Sequence, residues 1–198
     1  MQKAIIINGS YRKEGVSDQI SNVVFKRLLD EHIEVTIINL REKNIRFCTN
    51  CRTCTQVKSD IPARCIIDDD FNTIIQKIEN ASMYVFIVPT NFGSATALFK
   101  CFMERLTVYG YYPWGHAAPE YRKKNLSKKA LCFSSCAAPS FLGKFFFNTA
   151  KQLKTISNLL GAKVLKTTFI GMCAKEKSYN LTKKEIDKIS KNTIMLAR

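Results

Sequence analysis

The chain has 198 residues, with 31 Lys and Arg against 16 Asp and Glu and a net charge of +15. That length supports one sizeable core, and no apolar run reaches membrane-spanning length. With Met1-Gln2-Lys3 leading straight into an apolar run, the expectation is a cytoplasmic protein without a signal peptide, not associated with membranes, whose eight cysteines are thiols or metal ligands.

Ala4-Ile5-Ile6-Ile7 is short, β-branched and apolar on both faces, as a strand buried inside a parallel sheet should be. Helical spacing then begins at Ser17, with Ile20, Val23, Val24 and Leu28 on one stripe. A second strand covers Ile33 to Leu40. Residues 41 to 70 break the alternation with a polar, basic excursion carrying four cysteines, and Thr55 to Arg64 reads as a flexible loop. Phe71, Ile74, Ile75 and Ile78 mark a helix, and Met83 to Val88 a third strand ended by Pro89. After a Thr90–Ser94 loop comes a helix with Leu98, Phe102, Arg105 and Leu106, then an aromatic loop with Tyr111, Tyr112, Pro113 and Trp114. Ala130 to Ser134 is a fourth strand, and one long amphipathic helix with Phe146, Leu153, Ile156 and Leu160 follows, ending at Gly161. Val164 to Met172 is a fifth strand, and Thr182-x-x-Glu185 is a capping box opening the last helix.

This alternation predicts an α/β, flavodoxin-like, doubly wound parallel sheet of order 2-1-3-4-5, as a single domain over 1–198 with residues 41–70 as an excursion. Ligands of such sheets bind beyond the carboxyl ends of the strands, at the switch point between strands 1 and 3. The loop after strand 1 offers what a phosphate needs. It holds Gly9 and Gly15 for close approach, the hydroxyls of Ser10 and Ser17, the guanidinium of Arg12, and the start of a helix. It lacks the endings of both common nucleotide fingerprints. The lysines, dense in Arg122–Lys129 and from Lys175 to Lys191, read as solvated faces. They are not interleaved with stacking aromatics, so nucleic acid is set aside as a partner.

Three ordered stretches give the chain a family likeness. Gly9-Ser10-Tyr11-Arg12 through Gly15-Val16-Ser17 resembles a G-S-x-R-x-x-G-x-S/T loop. Pro89-Thr90-Asn91-Phe92-Gly93, with Leu98-Phe99-Lys100 and Glu104-Arg105 behind it, resembles P-x-Y-x-G with its following L-x-K and D-R. Cys48-x2-Cys51-x2-Cys54, then Cys65-Ile66-Ile67-Asp68-Asp69, resembles C-x-x-C-x-x-C followed by C-x-x-D-D. These are the motifs of the NADPH-dependent FMN reductase family and its iron–sulfur flavoprotein relatives, which the chain resembles. The resemblance implies an FMN-dependent oxidoreductase with NAD(P)H as co-substrate. Its acceptor would be a quinone, nitro or azo compound, a flavin or a protein, and it would be a homo-oligomer. It implies that Ser10, Arg12, Val16 and Ser17 hold the FMN phosphate. Pro89, Thr90, Asn91, Phe92 and Gly93 would line the ring, with Ser134 and Ser135 on its other edge. No acid–base pair is expected, because hydride and electron chemistry belongs to the flavin.

By their spacing, Cys48, Cys51, Cys54 and Cys65 admit a [4Fe–4S] cluster, a zinc ion, or empty thiols or a disulfide. A cluster would make the protein an iron–sulfur electron carrier. Cys101, Cys132 and Cys173 sit in apolar patterns and are expected in the core. The aromatic loop either shapes the flavin pocket or an oligomer contact, or packs as a satellite core.

Overall fold

The computed structural model describes residues 2–198. Its centre is a five-stranded parallel sheet. The strands are β1 (Lys3–Asn8), β2 (Glu34–Asn39), β3 (Met83–Ile87), β4 (Lys128–Ser135) and β5 (Ala162–Ile170), in the order β2-β1-β3-β4-β5. The flavodoxin-like order expected from the alternation is the one observed. Registers are regular, Ile6 facing Ile37 on one side and Val85 on the other, apart from one irregularity at Ala130/Leu131 on β4.

Strand alternation sorts the core into two layers. Ile5 and Ile7 of β1 with Tyr84 and Phe86 of β3 face α2 (Asp70–Glu79), α3 (Ala97–Arg105) and α5 (Thr149–Leu159). Ala4 and Ile6 with Met83, Val85 and Ile87 face α1 (Val16–Asp30) and α6 (Lys183–Ala197). α2 begins at Asp69, whose carboxylate accepts from the N–H of Phe71, and α6 begins at Thr182 with both bonds of its capping box made. Gly161 takes φ +73° just past α5, the left-handed turn that favours glycine there.

Three expectations are corrected. The long helix before Gly161 is two helices, α4 (Ser140–Phe146) and α5, separated at the extended Phe147. The N–H of Asn148 bonds the Gly93 carbonyl (2.7 Å), which draws the chain out of helical register, and Phe146 is exposed. Thr55–Arg64 is pinned rather than loose: Thr55 is buried, the Ala63 N–H reaches the Val108 carbonyl, and Arg122 donates to the carbonyls of Val57 and Ser59. Arg122 is therefore not part of a solvated face; it is 4% exposed. No helix among the described residues is long and apolar enough to cross a membrane.

Candidate functional site

The loop between β1 and α1 is shaped by its own side chains. Asn8 is buried; its carbonyl oxygen accepts from the Ser10 N–H (3.0 Å) and its amide donates to Asp18 (2.6 Å). The Ser10 hydroxyl in turn accepts from the Arg12 N–H. Gly9 is required by proximity, since a Cβ there would stand 2.8 Å from the ring of Phe99. Thr96 joins this loop to the one after β3: its hydroxyl donates to the Gly9 carbonyl (2.7 Å) and caps α3 by accepting from the Phe99 N–H. Tyr11 reaches across to accept from the Leu98 N–H (2.7 Å).

These ties leave a cavity of about 220 Å³ at the carboxyl ends of β1, β3 and β4. Seven of the eleven expected residues line it: Ser10, Arg12, Val16, Ser17, Pro89, Asn91 and Ser135. Gly15 stands at the N-cap without a side-chain capping bond, and the N–H groups of Val16 and Ser17 have no intrahelical acceptor. Free N–H groups, the positive end of the α1 dipole, two hydroxyls and a guanidinium therefore converge on one space. Arg12 also donates to the Lys177 carbonyl, so the segment after β5 closes over the cavity.

The other four expected residues do not line the cavity. Ser134 is fully buried and hydrogen-bonds Thr90 (2.9 Å), which also bonds Thr149 (2.8 Å). Both hydroxyls hold the loop from beneath. Phe92 and Gly93 form the tip of a two-residue hairpin between Thr90–Asn91 and Ser94–Ala95, both with positive φ (49° and 70°), as a type I′ turn requires. Phe92 is wholly exposed there, a bulky residue in a conformation that costs of order 1–3 kcal/mol. Sequence reasoning missed Asn8, Asp18 and Thr96; a polar residue ending a buried strand was the one available signal. It also missed Cys173, expected in the core, which is half-buried and lines the cavity.

The second constellation lies at the far end of α3. Cys48, Cys51, Cys54 and Cys65 all line one small cavity of about 20 Å³, together with Arg52 and Arg105. Cys51 is exposed on its outer wall. Among the described residues no group of three or more His, Cys, Asp or Glu is drawn together closely enough to hold a metal ion. Burial, helped by the neighbouring thiols of Cys65, Cys51 and Cys48, pushes the Cys54 thiol up to about 11. A hydrogen bond from Thr53 holds the exposed Cys51 below its usual value. Beneath the cavity, Arg105 and Asp69 form a fully buried, two-pronged ion pair (2.7 and 3.1 Å). Burial alone would raise the Asp69 carboxyl, but Arg105 and the N–H groups of Arg46 and Phe71 outweigh it and hold it below the usual range. This pair physically joins the C-x-x-D-D and E-R stretches.

The aromatic loop is clamped onto the cysteine segment. Tyr112 donates from its N–H to the Thr55 carbonyl and accepts at its own carbonyl from Thr55 and Arg52. The Arg52 guanidinium lies 4.0 Å from the ring centres of both Tyr112 and Trp114.

A doubly wound parallel sheet with a donor-lined cavity at its switch point defines a flavodoxin-like fold. The profile of the NADPH-dependent FMN reductase family matches residues 2–175, and the chain belongs to that family. It is 29% identical over 111 residues to an iron–sulfur flavoprotein of Archaeoglobus fulgidus, covering 56% of this chain and 48% of that protein. To an iron–sulfur flavoprotein of Methanocaldococcus jannaschii it is 30% identical over 103 residues, covering 52% and 51%. The chain thus spans about half the length of the curated relatives it matches. Among solved structures, an FMN-dependent NADH-azoreductase from Bacillus anthracis in complex with FMN superposes over the whole of both chains, with TM-score 0.73 and 14% identity. An NAD(P)H:quinone oxidoreductase from Methanothermobacter marburgensis superposes with TM-score 0.66 and 13% identity, covering 100% of this chain and 95% of the other. At these identities the superpositions establish the fold.

Proposed function

We propose that this chain is an FMN-binding oxidoreductase that takes hydride from NAD(P)H and passes electrons to a small-molecule or protein acceptor. Quinones, nitro or azo compounds and free flavin are the small-molecule candidates. One observation carries the reading: Arg12, Ser10, Ser17 and the free N–H groups of α1 meet in a single cavity at the switch point. That donor set fits a phosphate monoester. FMN, when bound, supplies the hydride and electron chemistry. In this assignment Arg12 and Ser17 bind the phosphate, and Pro89, Asn91 and Ser135 line the space beside it. Thr90 and Ser134 hold the ring-side loop in place, and Phe92 and Gly93 stand at its rim. The whole chain acts as one domain in the cytoplasm.

The exposed aromatics Phe92, Phe141, Phe145 and Phe146 favour a homo-oligomer, because apolar surface of that kind on a soluble protein is normally covered. Sedimentation of a dilute monomer would end that part of the reading.

The test is FMN titration followed by flavin fluorescence. Wild type should bind one FMN per chain, and Arg12→Ala should weaken binding about 10- to 100-fold through loss of one charged hydrogen bond. Wild type that takes up no FMN would overturn the reading.

A second reading, an electron carrier with a [4Fe–4S] cluster beside FMN, is favoured by the four cysteines ringing one cavity. The donor set is the soft thiolate set such clusters use. Among the described residues the thiols are not drawn together closely enough to hold a metal ion, so neither a cluster nor zinc fits this arrangement without movement of the segment. A cavity of about 20 Å³ holds one water-sized sphere, so a cluster needs the exposed Cys51 wall to move outward. Iron and acid-labile sulfide assayed on protein purified without oxygen decide between the readings.

A further inference from the structure

A second cavity, of about 330 Å³, lies between α1 and the carboxyl end of the edge strand β2. Glu14 and Asp18 line it where their chain neighbours Gly15 and Ser17 line the first, so the two spaces share one turn of chain. Its frame is fixed. Asp18 accepts two bonds from Arg41 (2.9 and 3.0 Å), one from the Asn8 amide (2.6 Å) and one from the Glu14 N–H (2.7 Å). Arg41 also meets Glu42 (3.5 Å) and its side chain is 10% exposed, so its charge is already paired. The bond to Asp18 holds Glu14 at φ 57°, a conformation few residues other than glycine adopt. On the wall, Glu14 and Asn22 present an exposed carboxylate and an exposed amide, and Ile37 an apolar surface. Ser21 is 4% exposed, and among the described residues its hydroxyl is the one buried side-chain hydroxyl without a hydrogen-bond partner. Leaving a buried hydroxyl unmet destabilises a fold, and a ligand that bonds it removes the penalty.

We infer that this cavity binds the adenosine ribose of the dinucleotide, with Ser21 and Asn22 bonding its hydroxyls, Glu14 accepting from the 2′-hydroxyl and Ile37 packing against its carbon face. The inference rests on the NAD(P)H reading above and narrows it to NADH. A ribose diol offers two hydroxyls that each donate and accept, and a hydroxyl, an amide and a carboxylate in one space are the matching set. In dinucleotide-binding sheets of the doubly wound kind an acidic side chain holds the ribose hydroxyls, and a nearby arginine is what accommodates a 2′-phosphate. Here the arginine is tied to Asp18 and Glu42, and Glu14 adds a third carboxylate, so a 2′-phosphate meets like charge and no free cation. Lys13, exposed between Arg12 at the first cavity and Glu14 at the second, stands in the stretch that the pyrophosphate crosses.

The experiment is a calorimetric titration of the full chain with ADP-ribose, with and without FMN, in wild type, Ser21→Ala and Glu14→Gln. Beside it, kinetics of the FMN-loaded protein compare NADH, NADPH and reduced nicotinamide mononucleotide, which lacks the adenosine. Wild type should bind ADP-ribose and use NADH at least about 10-fold more efficiently than NADPH. Ser21→Ala should weaken ADP-ribose and raise the KM for NADH about 2- to 10-fold through loss of one hydrogen bond. Its KM for the mononucleotide and its FMN affinity should not move, and its urea midpoint should hold or rise, because the unmet hydroxyl is gone. A purely structural serine would lower the midpoint instead. Glu14→Gln, in an exposed loop, should narrow the preference for NADH and keeps the test meaningful if Ser21→Ala fails to fold. Wild type that binds no ADP-ribose, or that prefers NADPH, would overturn the inference. So would Ser21→Ala with wild-type ADP-ribose affinity, which assigns the hydroxyl to solvent. ADP-ribose binding needs no turnover, so a chain that binds it and takes up no FMN strikes the flavin reading alone.

Discussion

The donor-lined cradle after β1 and the cysteine cavity sit at opposite ends of α3 and are built by opposite means. The cradle is made within ten residues of chain: Asn8 shapes Ser10, Ser10 shapes Arg12, and α1 follows. The cysteine segment makes almost no structure of its own beyond a three-residue turn at Thr53–Thr55. It is held from outside by Arg122, by the Tyr112–Trp114 loop and by the Asp69–Arg105 pair. A cradle built locally needs only its strand and helix to exist, whereas a cavity built from distant arginines stands or falls with the packing of the whole face.

Removing Arg105 is the severest way to break that asymmetry. Arg105→Met leaves Asp69 buried without its partner and should cost about 3–5 kcal/mol, read as a lower urea midpoint at unchanged slope. In the fraction that remains folded, FMN affinity should stay near wild type, because the cradle shares no hydrogen bond with this pair. An equal loss of FMN affinity would show the two regions to be one unit.

The same pair makes stability fall in acid. The folded-state value of Asp69 is depressed, so its contribution is fully present above the usual carboxylate value of about 4 and is lost as pH falls through the depressed one. Urea midpoints measured from pH 7 to pH 3 should drop more steeply in wild type than in Asp69→Asn. Parallel curves would show that another group carries the acid sensitivity.

How far the sequence could be read follows the same division. The strands, the switch point and the cradle residues Ser10, Arg12 and Ser17 were visible because each depends on near neighbours in the chain, whose periodicity and turn chemistry are local. Ser134 does not line the cavity because it shares the face of β4 that Ala130 and Cys132 turn toward the α5 layer, where its hydroxyl meets Thr90. The break between α4 and α5 could not be read at all, since its cause is the Gly93 carbonyl, far away in sequence. Arg122 looked like one more cation in a basic run; only the carbonyls gathered around it, drawn from residues 54 to 59 and 108, give it a buried role.

Gly9→Ala tests how tightly the local device is fitted. The added methyl would stand 2.8 Å from Cδ2 of Phe99, a buried ring that α3 holds in place. Overpacking should cost about 1–3 kcal/mol of stability and weaken FMN binding, as the loop lifts to make room. The cysteine cavity lies beyond the other end of α3, so thiol accessibility at Cys51, measured with a thiol reagent, should not change.

Tyr11→Phe is gentler and makes the sharper comparison. It deletes one hydroxyl that accepts from the Leu98 N–H in the first turn of α3, where water can take over. The expected loss is about 0.5–1.5 kcal/mol. Tyr11 lines the cradle cavity, and its bond is one of two polar ties from the cradle to the start of α3, the other running from Thr96 to Gly9. If that tie positions the cradle, FMN affinity should fall by several-fold while the urea midpoint hardly moves. If the cradle is as self-contained as its internal hydrogen bonds suggest, stability should fall slightly and FMN affinity should hold. The second outcome is the one expected, because Asn8, Ser10 and Thr96 already fix the loop without it.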